Sequence, residues 1–198
     1  MTDLWPTTDD RLAPSDRLAD VTDLLLTSTA AAAGPEVRQE MLRFAADHAD
    51  ALLRSCPAGH FTGSALVVDA TGEHTLLLFH TKLQRWLQPG GHADGDANLV
   101  AVALREATEE TGIIGLSIDP DPLDLDIHAI RPPGEAPHLH LDVRFLVVAP
   151  ADAVVQGNHE SEALRWVPIG ELAGLGLDAG TERLGRAGAE RRRLSASS

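Results

Sequence analysis

An α+β fold, with a mixed β-sheet sandwiched between helices and an α-hairpin in front of it, is what this chain of 198 residues predicts. Three observations carry the prediction. Two segments of helical period precede the first strand-like run, the strand-like runs then come in hairpin fashion, and one helical segment stands among them. Hairpins around a single helix favour a mixed sheet over the regular strand–helix alternation of a doubly wound parallel one.

Residues 1 to 14 read as irregular, with Pro6 and Pro14 among scattered acids. From Ser15, a residue suited to an N-cap, SDRLADVTDLLLTSTAAAA sets Leu18, Val21 and Leu25 on one helical face. Gly34-Pro35 interrupts the pattern, and Pro35 suits the first position of a second helix. There Val37, Met41, Phe44, His48 and Leu52 recur at helical spacing, giving an α-hairpin over residues 15 to 54 that SCPAG ends. HFTGSALVVDA and HTLLLFH follow as strands, parted by the hairpin signal TGE. After the central helix, PLDLDIHAI alternates Leu123, Leu125 and Ile127 with Asp124, Asp126 and His128. HLHLDVRFLVVA places His138, His140 and Asp142 on one face and Leu139, Leu141 and Val143 on the other. ALRWVPIGEL is a short strand running into a helix start. The end, ERLGRAGAERRRLSASS, carries five Arg and reads as a frayed, solvated tail or a poorly packed last helix.

Composition narrows the function. Only 4% of residues are aromatic and none is Tyr, which leaves few rings to stack on single-stranded nucleic acid. The formal net charge of −14 repels polyphosphate backbones, so a nucleic-acid polymer is not the expected partner. A lone cysteine, Cys56, forms no intramolecular disulfide and fits a reducing compartment. Acids stand where a signal peptide needs a basic region, and no run approaches the roughly 18 apolar residues of a spanning helix. The expectation is a cytoplasmic protein with no membrane partner.

The most informative stretch is QPGGHADGDANLVAVALREATEETGI, residues 88 to 113. On a helix, Glu106, Glu109 and Glu110 fall on one face, while Val100, Ala103, Leu104 and Ala107 form an apolar stripe. Like charges three and four apart cost a few tenths of a kcal/mol per pair, so the cluster needs an offset. Arg105 stands four before Glu109 and is expected to hold it; a hard divalent cation would relieve the rest. Gly90 and Gly91 allow close backbone approach and offer an unhindered carbonyl, and Gly112 suits the residue that closes the helix. A solvated acidic face is the bland alternative for the helix taken alone.

With its glycine pair the segment resembles the Nudix box, G-x5-E-x7-R-E-U-x-E-E-x-G-U with U apolar. Gly91, Arg105, Glu106, Ala107, Glu109, Glu110, Gly112 and Ile113 match. The resemblance covers about residues 58 to 172. It implies a Nudix-type fold, taken as a Nudix hydrolase domain over residues 56–178; the N-terminal helical extension over 1–55 and the C-terminal basic tail over 179–198 lie outside the resemblance. It also implies Mg²⁺- or Mn²⁺-dependent hydrolysis of a diphosphate linkage in a small-molecule nucleoside diphosphate derivative. The Gly90 carbonyl with Glu106, Glu109 and Glu110 would hold the metal, which lowers the pKa of a bound water and neutralises developing charge; Arg105 would orient the glutamates.

The box glutamate is replaced by Ala97, with Asp94 and Asp96 close enough to substitute. That departure admits a second reading, a catalytically weak or inactive Nudix-fold module for ligand binding or regulation. His60 and His92 are further metal candidates, since imidazole suits Zn²⁺ or Mn²⁺ better than Mg²⁺ and both resemble histidine ligands of type I isopentenyl diphosphate isomerase, a Nudix-fold relative. That isomerase's catalytic cysteine would fall near Gly90, and Cys56 lies too far upstream to replace it. Trp86, Arg131, His138, His140 and Arg144 are the expected substrate contacts. The late segment NHESEALRW offers His159, Glu160 and Glu162, with Glu160 as the expected catalytic base. The apolar face of the α-hairpin leaves room for a homodimer.

Overall fold

The structure, a computed structural model, describes residues 3–30, 34–81, 84–131, 134, 136–157 and 161–196. Its elements are β1 (Trp5–Pro6), a 3₁₀ turn (Asp10–Leu12), α1 (Leu18–Thr27), α2 (Gly34–Asp47), β2 (Gly59–Val68) and β3 (His74–His80). Then come β4 (Arg85–Leu87), β5 (Gly90–His92), α3 (Leu99–Thr111), β6 (Ser117–Ile118), β7 (Asp124–Ile130) and β8 (His138–Val148). β9 (Ser161–Pro168), a 3₁₀ segment (Ile169–Gly174) and α4 (Ala179–Ala196) complete the chain. The predicted α+β class holds, with a mixed sheet between helical layers.

The two long strands form the spine. β2 and β8 run parallel in register, Gly59 opposite Leu139 through Val68 opposite Val148. β7 pairs antiparallel with β8, β5 with β2, and β9 with β3. Because side chains alternate along a strand, β2 turns Phe61, Ala65 and Val67 to one face and His60, Thr62, Ser64, Leu66 and Val68 to the other. The first face carries the main core, where Phe61, Val143 and Phe145 meet Val102, Ala103 and Ala107 of α3 and Val21, Leu25, Met41 and Phe44 of the N-terminal helices. Leu25, Met41, Phe61 and Phe145 are fully buried; each stabilises the fold by about 1.5–3 kcal/mol. The second face is polar at one end and apolar at the other, where Leu66, Val68, Leu123 and Leu146 pack on Leu184 of α4.

Two sequence expectations need correction. Ser15 does not cap α1, which begins at Leu18. Its N–H donates to Asp96 and its carbonyl accepts from the N–H of Ala97, tying the segment to the loop before α3. As far as Ala196 the basic end is helical, and α4 buries Leu184 and aims Arg183 at Asp124 and Asp126 and Arg191 at Asp119 and Asp121. Arginines that look solvent-directed in sequence meet acids of β7 and of the segment between β6 and β7. Before α3, Arg85–Leu87 and Gly90–His92 form β4 and β5, three residues each and too short to show a period in the sequence. Among the described residues no helix is long and apolar enough to cross a membrane.

Candidate active site

α3 and β5 create the first cluster. Asn98 caps the helix by accepting from the N–H of Ala101, and Gly112, at φ +67°, closes it. The side of α3 that packs on β2 through Leu99, Val102 and Ala103 continues, in the later turns of the helix, into Glu106 and Glu110, which face β5. Glu110 is buried and accepts from the N–H of Gly90 at 2.9 Å. Glu106 fills the space a side chain on Gly91 would need: a Cβ there would lie no farther than 2.9 Å from any carboxylate atom. Glu109 points to solvent. Burial pushes the Glu106 carboxyl upward; Arg105 opposes this and Glu109 adds to it. A partly buried carboxylate whose charged form is disfavoured is a group a cation would stabilise. Oxygen donors at the edge of a glycine cradle suit a hard ion such as Mg²⁺ or Mn²⁺.

Arg105 does not hold Glu109. Its guanidinium lies 3.4 Å from Glu106 and 3.7 Å from Asp96. Asp94 is engaged elsewhere, by Arg54 at 2.6 Å. Asp96 therefore places a carboxylate beside the box arginine, while Ala97, 2% exposed, belongs to the apolar core.

The second cluster lies on the sheet face opposite α3. His60 on β2, His92 on β5 and His138 and His140 on β8 bring their rings together: His60 lies 4.9 Å from His92, 5.0 Å from His138 and 4.9 Å from His140, centroid to centroid. His128 of β7 stands 5.5 Å from His140. Burial, with Arg54 and His60 next, pushes His92 down to about 4, and burial with His92 and His60 pushes His140 down to about 3, so both are neutral imidazoles at pH 7. Beyond them the face becomes an ion network. Asp142 accepts from Thr62 and Ser64 at 2.8 Å and from Arg144 Nε at 2.7 Å. Burial raises the Asp142 carboxyl, but the Arg144 guanidinium overrides this and holds it below the ordinary range. Arg144 also reaches Asp124 at 3.2 Å and Asp126 at 2.9 Å, and Arg183 of α4 closes over the same two acids.

A family profile for the NUDIX domain matches residues 60–187, more than half of the chain. The chain belongs to the NUDIX family. That places it among hydrolases of phosphorus-containing anhydrides, which act on small-molecule diphosphates and generally use divalent metals. A NUDIX relative in structure is an Ap4A hydrolase of C. elegans in a binary complex, 21% identical, with a TM-score of 0.54 over 69% of this chain and 98% of the other. A NUDIX-family hydrolase from Clostridium perfringens is 21% identical at a TM-score of 0.51, over 69% and 97%. The dihydroneopterin triphosphate pyrophosphohydrolase of E. coli is 16% identical at 0.50, over 64% and 92%. No curated protein sequence matches the chain.

Within this NUDIX frame the structure brings Gly90, Glu106 and Glu110 together and sets His60, His92, His138 and His140 on the other face of the sheet. Arg144 requires correction as a substrate contact: its side chain is 3% exposed and three aspartates occupy its guanidinium. Arg131 is exposed just after β7. Trp86 packs edge-on against Phe79, 5.3 Å between centroids, and against the small core of Leu77, Val167 and Leu172. His159 and Glu160, and the side chain of Glu162, lie outside the described residues. His128 was missed, although the alternation of DLDIHAI already set it on the face of Asp124 and Asp126. Pairing Ile127 with Leu141 carries it opposite His140.

Proposed function

We propose that this chain is a divalent-metal-dependent hydrolase that cleaves the diphosphate linkage of a nucleoside diphosphate derivative at the α3–β5 cluster. The observation that carries the reading is the convergence of Glu106 and Glu110 on the glycine pair, where partial burial raises the Glu106 carboxyl despite Arg105 beside it. Glu106, Glu109, Glu110 and the Gly90 carbonyl would hold Mg²⁺ or Mn²⁺, which when bound supplies charge neutralisation at the phosphates and acidifies a water. The remaining work falls to the chain. Glu110 anchors β5 through the Gly90 N–H, which keeps the adjacent carbonyl fixed. Arg105, held between Asp96 and Glu106, sets the angle of the Glu106 carboxylate and is a positioning residue. Trp86 and Arg131 are assigned to the substrate and Glu160 to the base. Two structural neighbours, an Ap4A hydrolase and a triphosphate pyrophosphohydrolase, support an anhydride but not one particular base.

A second reading, a ligand-binding module without turnover, is favoured by one observation, the core alanine at position 97. Phosphate release from a panel of nucleoside diphosphate compounds with Mg²⁺ or Mn²⁺ separates the two. The hydrolase releases phosphate or nucleotide product from at least one compound, chelator stops it, and Glu106→Gln lowers kcat by roughly 100-fold or more, equivalent to about 2.7 kcal/mol of lost transition-state stabilisation. No product from any compound, with either ion, overturns the hydrolase in favour of the binder.

A further inference from the structure

We infer that His60, His138 and His140 form a second metal site, for a borderline transition-metal ion such as Zn²⁺, on the sheet face opposite the glutamate cluster. The two sites differ in donor chemistry, and the histidine site does not depend on the hydrolase reading. Each of these three side chains offers a ring nitrogen within 4.8 Å of the other two. Around a tetrahedral Zn²⁺ with Zn–N bonds of about 2.0–2.1 Å, ligand nitrogens stand roughly 3.4 Å apart. Closing that difference needs about an ångström of movement, within reach of small χ rotations by three imidazoles. His92, with its ring 4.9 Å from His60 and 5.0 Å from His140, flanks the fourth position.

Hydrogen bonding on the far side of the rings points the same way. A ligating histidine ordinarily donates its second ring N–H to a carbonyl or carboxylate, which fixes the tautomer and aims the other nitrogen's lone pair at the ion. His138 Nδ1 lies 2.9 Å from the carbonyl of Ala136, leaving Nε2 as the lone-pair nitrogen. His128 Nδ1 lies 2.9 Å from Asp126, a carboxylate–histidine pair on the next strand. The Nε2 of His140 is buried with no hydrogen-bond partner. A buried polar nitrogen without a partner is destabilising, a cost that metal ligation removes. Imidazole nitrogen suits Zn²⁺, Co²⁺, Ni²⁺ or Cu²⁺, whereas Mg²⁺ prefers oxygen.

Cobalt reports the site directly, because Co²⁺ in a tetrahedral nitrogen field absorbs in the visible far more strongly than octahedral Co²⁺ on carboxylates. Untagged, chelator-treated protein is titrated with Co²⁺, then with Zn²⁺. The expected result is a visible band saturating at roughly one ion per chain and bleached by Zn²⁺. His138→Ala and His140→Ala should each weaken Co²⁺ binding by roughly 10- to 100-fold or more, while Glu106→Gln leaves the band unchanged. If His140→Ala does not fold by circular dichroism, His138→Ala carries the test, since that ring is only half-buried. Absence of the band in folded wild-type protein, or a band lost in Glu106→Gln and retained in the folded histidine variants, overturns the inference.

Discussion

Gly91→Ala is the smallest change that should disable the glutamate site while leaving the fold standing. The backbone at position 91 is not in the left-handed region, so alanine meets no φ penalty there. The conflict is steric and local: the new Cβ would lie no farther than 2.9 Å from the Glu106 carboxylate atoms. Ordinary carbon contacts lie at about 3.5–4.0 Å, so the carboxylate must withdraw by roughly 1 Å. A displacement of that size at a reacting centre costs about 100-fold, or about 2.7 kcal/mol of transition-state stabilisation. The fold should lose only about 1–3 kcal/mol, the usual cost of modest overpacking. That corresponds to a midpoint lower by very roughly 2–12 °C for a chain of this size. The assay is kcat and KM on whichever panel compound the wild type hydrolyses, beside Mn²⁺ affinity by calorimetry and a thermal melt. Glu106→Gln supplies the cross-check: adding Gly91→Ala to it should cost little further turnover, because both act through one carboxylate. A folded Gly91→Ala protein with wild-type kcat and wild-type Mn²⁺ affinity would refute the assignment of Glu106 to the site.

Two further changes probe places where structure departs from expectation. Ala97→Glu restores the residue the box calls for, yet position 97 is 2% exposed inside the apolar core. Overpacking and an unpartnered carboxylate should together destabilise the fold by about 3 kcal/mol or more, lowering the midpoint by roughly 6–12 °C with no gain in turnover; higher activity at an unchanged midpoint would show that a carboxylate has a place there. Arg144→Met leaves the buried Asp142 without its cation and Asp124 and Asp126 with Arg183 alone, and should destabilise by about 3–5 kcal/mol, read by urea denaturation. An Arg144→Met protein of wild-type stability but raised KM would instead return Arg144 to the substrate.

The glutamate cluster was legible because a helix converts spacing into geometry. Residues four apart, such as Glu106 and Glu110, share a face by arithmetic alone, and the fixed distance from Gly91 does the rest. The histidine face was legible only strand by strand. Alternation set His138 and His140 with Arg144 and Asp142, and separately His128 with Asp126, but nothing local says that β7 lies beside β8 or that β2 runs parallel to β8. Arg144 shows the limit most clearly. Its face was read correctly from the period of two, but whether that face is open depends on α4, whose Arg183 arrives from a segment with the composition of a solvated tail. Ala97 shows the reverse case: the missing carboxylate is obvious in sequence, whereas the Asp96–Arg105 contact is a matter of loop path, set partly by Ser15.

β5 joins these threads. It is three residues long, and its alternation turns Gly91 toward Glu106 and His92 toward His60. A slip of one residue against β2 would exchange those faces, placing an imidazole against the glutamates and a glycine among the histidines. Ladder bonds in so short a strand hold register weakly, so other contacts must do it. The Ala65 N–H donates to the carbonyl of Pro89 at 2.9 Å and the Ala93 N–H to that of Phe61 at 3.1 Å, clamping both ends. Between them Glu110 holds the Gly90 N–H, and Gly90 approaches Ser64 so closely that a Cβ would lie no farther than 3.0 Å from its Cα, Cβ and Oγ. Only a residue without a side chain fits there, so the slip that would bring Pro89 against Ser64 is forbidden at Gly90, and the opposite slip is forbidden at Gly91, where the His92 side chain would meet Glu106. The glycine pair therefore acts in two ways at once, Gly91 by admitting a carboxylate and Gly90 by fixing the strand that keeps oxygen ligands on one side of the sheet and nitrogen ligands on the other.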